Sequence, residues 1–313
     1  MLDTILTWSF WTALLASGVR MAMPLLYAGL GELISERSGV LNIGMEGVML
    51  CGAFFSFAGA YYTGSLALGV LIGMLGGAAI SLIHGVICVK GKQNQTVSGL
   101  ALNMLSLGLT GYLYKLKCNT GEHLQTGVLE KIDLPLLSRI PLVGEAFFSQ
   151  DIMAYIAYLL VIAAFVIYRF TRVGLSLSAI GENPMAADTA GIRVERRQLI
   201  ACLLGGLLGG AGGAYLTIAQ LGLFSDNMTA GRGYIALAAV ILGRYSPSGV
   251  LLAALLFGLA NAAQIRLQAL TTAIPVQALA MLPYVITLAA LLITSGRSRE
   301  PESLAKPYIR GGR

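Results

Sequence analysis

Charge is scarce in this chain: of its 313 residues only 12% are Asp, Glu, Lys or Arg, 56% are hydrophobic, and the mean hydropathy is +0.76. So few charges cannot clothe a soluble surface, which excludes the soluble classes and leaves a polytopic membrane protein. Catalytic motifs are missing too. Its histidines are His84 and His123, with no His-Glu-x-x-His and no Gly-x-Ser-x-Gly, so an intramembrane enzyme lacks its nucleophile, base or metal set. The single Gly-Lys pair, Gly91-Lys92, is followed by Gln93 and does not have the spacing of a phosphate-binding loop. Cys51, Cys88, Cys118 and Cys202 are scattered without metal-ligand spacing, so neither a disulfide framework nor a zinc site is implied. Before Arg20 the only charge is Asp3, so no basic signal-peptide start is present and the first apolar stretch is expected to stay in the mature protein.

Glycine, by contrast, is abundant at 39 residues, which suits membrane helices packed closely through small side chains. The net charge of +6 is no nucleic-acid signal, because the basic residues lie mainly between apolar runs, where they set orientation. A crossing needs about 20 mostly apolar residues. Spans are expected near 8–33, 40–62, 66–89, 97–116, 151–170, 199–220, 233–245, 248–268 and 276–295, the seventh short enough to be half of a broken helix. If Gly18 and Arg20 divide the first stretch in two, the count becomes ten. The fold class is therefore all-α and polytopic, with about nine to ten transmembrane helices. It forms a single transmembrane domain over 1–296, with an external loop at about 117–150, a cytoplasmic loop at about 171–198 and a cytoplasmic tail over 297–313. Placing Arg37, the loops 90–95, 169–198 and 244–247, and the tail on one side collects 14 of the 21 Lys and Arg residues there, which marks that side as cytoplasmic.

Ser35 to Leu50 and Ser225 to Leu242 share a pattern: a polar, Gly-containing lead-in followed by a small-residue apolar run. An odd number of spans separates them, so they would point in opposite directions, as in an inverted repeat with its pathway at the repeat interface. Any two Gly-rich membrane lead-ins also look alike, and that reading stays open. Glu46 lies where the first of these runs turns apolar. An acid at the centre of a membrane helix costs about 2.5–3.5 kcal/mol, so Glu46 should face a wet cavity or a partner. Hydrogen bonding to backbone freed at Gly44 and Gly47 is the structural alternative.

The segment Gly181 to Arg193 carries its own helix punctuation. Asn183 can cap it, Pro184 suits the first position, Ala186 and Ala187 favour helix, and Gly191 can stop it. Arg169, Arg172, Arg193, Arg196 and Arg197 flank it, which makes it a cytoplasmic surface helix suited to docking another protein.

Ser35-Glu36-Arg37-Ser38-Gly39-Val40-Leu41-Asn42-Ile43-Gly44-Met45-Glu46-Gly47 resembles the signature of ABC-transporter permeases of the nucleoside and simple-sugar uptake type, within the branched-chain amino acid and ribose permease superfamily. Gly181 to Ile192 resembles that superfamily's coupling helix. Gly231 to Ala238, Phe257 to Ala262 and Met281 to Tyr284 are similar to its downstream blocks.

The resemblance implies the transmembrane subunit of an ATP-driven importer in the bacterial cytoplasmic membrane. Its partners would be a second permease, an external substrate-binding lipoprotein and a cytoplasmic ATPase that binds the ATP and Mg; this chain would hold no cofactor or metal of its own. The Glu46-Gly47-Val48-Met49 form resembles one half of a heterodimer, with a homodimer as the other arrangement. Coupling would fall to Glu182, Asn183, Pro184, Ala186, Ala187 and Gly191.

For the pathway, Asn42 and Glu46 are four apart and would share a helix face. Asn103, Asn261 and Gln264 add amides within spans, and Tyr234 adds a polar-tipped ring; such groups both donate to and accept from the hydroxyls of a nucleoside or sugar. These amides could instead bridge helices. Arg20 and Arg266 read as snorkelling, and Gly205, Gly209 and Gly213 as a packing ladder. The alternative function is an ion- or proton-coupled carrier with Glu46 as relay, which would have no need of a docking helix at 181–193.

Overall fold

The structure, a computed structural model, describes residues 8–118, 125–133, 135, 140, 143–270, 275–281, 285, 286, 288, 289, 292 and 300–309. Nearly half of the expected span 276–295, most of the Met281 to Tyr284 block and His123 lie outside the described residues.

Helices dominate: α1 Trp8–Arg37, α2 Met45–Thr63, α3 Leu66–Gly85, α4 Gln95–Cys118, α5 Val143–Phe148, α6 Ile152–Phe170, α7 Arg172–Glu182, α8 Pro184–Thr189, α9 Val194–Ala214, α10 Arg232–Leu242, α11 Pro247–Leu270 and α12 Val276–Ala280. The coils of α3 and α9 widen into π turns at Val86–Lys90 and Tyr215–Leu221. Two three-residue strands, β1 Lys131–Asp133 and β2 Ser149–Asp151, pair antiparallel in the segment expected as the external loop. By length and composition, Trp8–Arg37, Leu66–Lys90, Gln95–Leu116, Ile152–Phe170, Val194–Leu221 and Pro247–Leu270 can cross a membrane. This is an all-α polytopic membrane protein.

Two expected boundaries differ. The first stretch is one helix of 30 residues that runs through Gly18, Arg20 and Pro24, not two elements. The expected span 40–62 begins as helix only at Met45, and residues 40–44 are non-helical. Cβ-less positions there explain the break: Gly39 sits at φ +85°, a conformation that L side chains rarely adopt, and Gly44 packs against Gly99.

The core is organised around α9, whose small residues face three helices at once. Gly205 and Gly212 lie against α1, Gly209 and Gly213 against α2, and Gly206 and Gly210 against α3. The order of these contacts sets direction. Gly205 meets Gly31 while Gly212 meets Pro24, so α1 and α9 are antiparallel. Gly209 meets Met45 and Gly213 meets Met49, so α2 runs with α9. Helix α10 instead runs with α1, because Gly29 lies beside Ala236 and Arg37 Nε donates to the Tyr245 carbonyl just past the end of α10. Thus α2 and α10 point in opposite directions.

Away from the start of α10, the segment that carries β1 and β2 is pinned to the end of α9. Thr126 N donates to Gly222 O at 2.7 Å, Leu129 N donates to Ile218 O at 3.0 Å, and Tyr215 Oη donates to Asp151 Oδ2 at 2.6 Å.

Candidate functional site

Helices α2 and α10 begin nose to nose. Gly231, at φ +86°, turns the chain into α10, and its N–H donates to Glu46 Oε1 at 2.7 Å; Gly233 N–H donates to Glu46 Oε2 at 2.7 Å. Both oxygens of this buried carboxylate therefore cap the start of a helix from another part of the chain, where free N–H groups and the helix dipole favour an anion. A Cβ on Gly233 would overlap the Glu46 backbone, so only glycine permits the approach. Helix α10 has 11 residues, about 16 Å at the standard rise, and so covers about half of a ~30 Å hydrocarbon core.

Asn103 of α4 stitches the same junction. Its Oδ1 accepts from Gly47 N at 2.8 Å, and its Nδ2 donates to Ile43 O at 3.0 Å and to Tyr234 Oη at 2.8 Å. Irregular backbone at membrane depth needs every polar group satisfied internally, and neighbouring side chains do this along the lead-in to α2. Gln198 Nε2 donates to Ser38 O at 3.0 Å, Leu41 N donates to Gln95 Oε1 at 2.7 Å, and Asn42 N donates to Glu32 Oε1 at 2.8 Å. His84 Nε2 lies 3.0 Å from Leu41 O and must be the donor, since a carbonyl only accepts.

Of the residues expected to line a pathway, the structure brings together Glu46, Asn103 and Tyr234. Asn42 does not share a helix face with Glu46, because it precedes α2; it is 1% exposed, and its Nδ2 is 3.4 Å from Ser81 Oγ. Asn261 and Gln264 lie toward the far end of α11, beyond Leu259, which packs on Gly18, and no described hydrogen bond joins them to the Glu46 group. Tyr234 is 43% exposed, the most open member of the group.

Sequence reasoning missed Glu32 and Glu36, one turn apart on α1 and both fully buried, more deeply than Glu46 at 8%. Glu32 Oε1 holds Asn42. The Glu36 carboxyl lies against that of Glu32, one turn away. Glu32 follows two closely spaced glycines, Gly29 and Gly31, a packing signature that was the available signal. Gln95, Gln198 and His84 were equally hidden, as polar residues near helix ends usually read as interfacial.

The profile of a family described as the permease component of branched-chain amino acid transport systems matches residues 14–293. This chain belongs to that family. The permease is 41% identical over 273 residues (85% of this chain, 81% of the relative) to a Haloferax volcanii permease protein named for glucose ABC transport. It is 39% identical over 307 residues to the guanosine ABC transporter permease protein NupQ of Bacillus subtilis, covering 93% of this chain and 95% of the relative. To the nucleoside ABC transporter permease protein NupC of Lactococcus lactis subsp. cremoris it is 37% identical over 300 residues, covering 92% and 93%. Family membership makes it a multi-pass integral membrane subunit and not an enzyme.

In the permease, Asn183 Oδ1 accepts from Ala186 N at 3.0 Å, Pro184 opens α8, and Gly191 at φ +83° follows its end. Glu182, Asn183, Met185 and Ala186 are exposed. Ala187 is not: at 3% exposure it packs inward with Ile180, Val194 and Tyr308. A cavity of about 410 Å³ opens between α1, α11 and the segment that carries β1 and β2, with Arg20, Lys131, Glu145, Gln150, Gln220 and Arg266 among its lining. Arg20 and Arg266, expected to snorkel, share that cavity.

Proposed function

We propose that this permease is the membrane subunit of an ATP-driven importer in a bacterial cytoplasmic membrane, moving a nucleoside or a related polar solute such as a simple sugar. The single observation that carries the reading is the likeness over more than nine-tenths of the chain to permeases named for nucleoside and guanosine transport. Opposed helix starts that meet through Glu46 support an inverted-repeat arrangement, with nine spans in one domain over 1–296 and a cytoplasmic tail over 297–313. A second permease would form a heterodimer with this one, a cytoplasmic ATPase would bind ATP and Mg and push on α8, and an external lipoprotein would deliver solute.

Along the pathway, Tyr234, whose hydroxyl is held by Asn103 Nδ2 and keeps its own proton to donate, is suited to an uncharged polyhydroxyl solute. Glu46 holds them from behind, Asn42 fixes the lead-in to α2, and Asn261 and Gln264 line the approach from the far end of α11. The carrier alternative loses its premise, because a carboxylate with both oxygens engaged by backbone N–H groups is poorly placed to relay protons.

The test is uptake by proteoliposomes that contain the assembled transporter, with radiolabelled guanosine as first probe and glucose as competitor. ATP-dependent guanosine uptake that excess glucose leaves intact is the expected result. Uptake driven by an ion gradient without ATP would overturn the importer reading, and competition by glucose but not by nucleosides would move the substrate to sugars.

A further inference from the structure

Residues 300–309, expected as part of a cytoplasmic tail, run along the bundle and touch two functional segments in turn. Ser303 N donates to Gly181 O at 2.9 Å, and Ser303 Oγ donates to Ile180 O at 3.1 Å, at the end of α7 that leads into α8. Two residues on, Ala305 N donates to Gly39 O at 3.3 Å, in the turn that opens the lead-in to α2. The segment lies close at both meeting points: a Cβ on Gly39 would lie 2.9 Å from Ser303 Oγ, and one on Gly181 would lie 3.2 Å from Pro301 Cβ and 2.5 Å from Arg37 O.

The segment is also anchored by burial. Leu304 joins the main apolar cluster, and Tyr308 packs with Ile180, Ala187 and Val194 behind α8. Lys92 Nζ lies 5.9 Å from the Tyr308 ring centroid and pairs with Glu195 at 2.6 Å, which fixes the start of α9 beside it. Chain ends are poorly ordered unless tied down; this segment is tied to α7, α8 and the lead-in loop at once.

We infer that residues 300–309 are a mechanical link that carries displacement of α8 to the 38–44 loop, with Ser303 and Tyr308 as its positioning residues. The inference rests on the reading of α8 as the ATPase-facing element. A push on the exposed Met185 and Ala186 moves Ala187, and Ala187 is packed against Tyr308. The hydrogen bonds of Ser303 and Ala305 then join that movement to Gly39, five residues before the Gly44 break and the Glu46 junction. Coupling between sites travels through such contiguous packed and hydrogen-bonded contacts, and it is demonstrated only by perturbing them.

The experiment uses the complete transporter in proteoliposomes, with guanosine uptake and ATP hydrolysis measured on the same preparation. A double variant, Ser303→Ala with Tyr308→Ala, is expected to assemble to within twofold of wild type while guanosine moved per ATP hydrolysed falls at least fivefold; Tyr308→Phe, which keeps the ring, restores the ratio. An unchanged ratio in the double variant overturns the link, as does a loss of uptake that only follows loss of assembled complex. If the double variant does not assemble, Ser303→Ala alone, which leaves the apolar packing intact, carries the same comparison. Ala186→Arg on the exposed face separates the two readings. If it leaves the ratio unchanged, the coupling role of α8 fails; if it lowers the ratio while the Ser303 and Tyr308 variants do not, the link alone fails.

Discussion

Glu46 caps Gly233 across 187 residues of sequence: one carboxylate oxygen takes the Gly233 N–H at 2.7 Å, and the other takes that of Gly231. Two helices that run in opposite directions are held end to end by one side chain. The acid that looked misplaced in an apolar run is thus the anion for a helix start inside the bundle, and the positive end of α10 offsets its burial.

Replacing Glu46 with Gln should leave an assembled protein, because one oxygen still accepts, although the charge-assisted bonds weaken. Leucine leaves two buried N–H donors without partners at about 1–3 kcal/mol each. Thermal unfolding in detergent should therefore rank wild type above Gln and Gln well above Leu. A Leu variant that melts with wild type would show that the cap contributes nothing.

Tyr234→Phe removes the hydroxyl that accepts from Asn103 Nδ2 and spares the bonds of Asn103 to Ile43 and Gly47. The loss is about 0.5–1.5 kcal/mol at most, so folding should change little while KM for the transported solute rises severalfold. Asn103→Leu breaks all three bonds and should lower stability as well as uptake. Equal KM values for Phe and wild type would remove Tyr234 from the solute path.

Gly233→Ala adds a Cβ where the Glu46 backbone already lies. Neither partner is a flexible side chain, so the helix starts must separate, and overpacking of this kind costs about 1–3 kcal/mol. The variant should reach the membrane at reduced level, and its purified complex should melt several degrees lower. An unaltered melting curve would show that α2 and α10 are not tightly apposed.

Local features of this architecture were legible in the sequence, and long-range ones were not. Asn183-Pro184 and Gly191 bound α8 because capping is decided within a few residues. The short helix α10 showed as the apolar run near 233–245, too brief to span. That Glu46 was anomalous could be seen, but its partners Gly231 and Gly233 could not, since nothing local distinguishes a glycine that donates to a distant carboxylate from one that turns a loop. The assumption that residues 40–44 continue the helix placed Asn42 and Glu46 on one face, and the break at Gly44 undoes it. Glu32 was hidden for a related reason: its partner is a backbone N–H ten residues on, in a loop read as helix. Leu304 and Tyr308 sit in a polar stretch, so their burial emerges only from contact with Ile180 and Ala187.

Glu32 Oε1 accepts from Asn42 N at 2.8 Å in the buried lead-in to α2. Glu32→Leu leaves that N–H without its acceptor, at about 1–3 kcal/mol, and should melt several degrees lower, whereas Glu32→Gln keeps an acceptor and should melt between the two. A Leu variant that melts with wild type would show that this bond contributes nothing.

Helix α8 offers two neighbouring alanines with opposite surroundings, and this makes the docking reading sharply testable. Ala186 is exposed, whereas Ala187 is 3% exposed and packs with Ile180, Val194 and Tyr308. Arginine at 186 therefore alters only what an ATPase would meet, and the capping bond from Ala186 N to Asn183 Oδ1 survives because it belongs to the backbone N–H. Arginine at 187 instead drives a charge into an apolar cluster and should loosen the loop, at several kcal/mol unless the side chain escapes to solvent. Ala186→Arg is expected to melt like wild type, co-purify less ATPase and lose at least fivefold of ATP-dependent uptake, while Ala187→Arg should lower the melting temperature before any partner is added. If Ala186→Arg binds ATPase and transports like wild type, the exposed face of α8 is not the contact and the coupling assignment falls, whatever Ala187→Arg does.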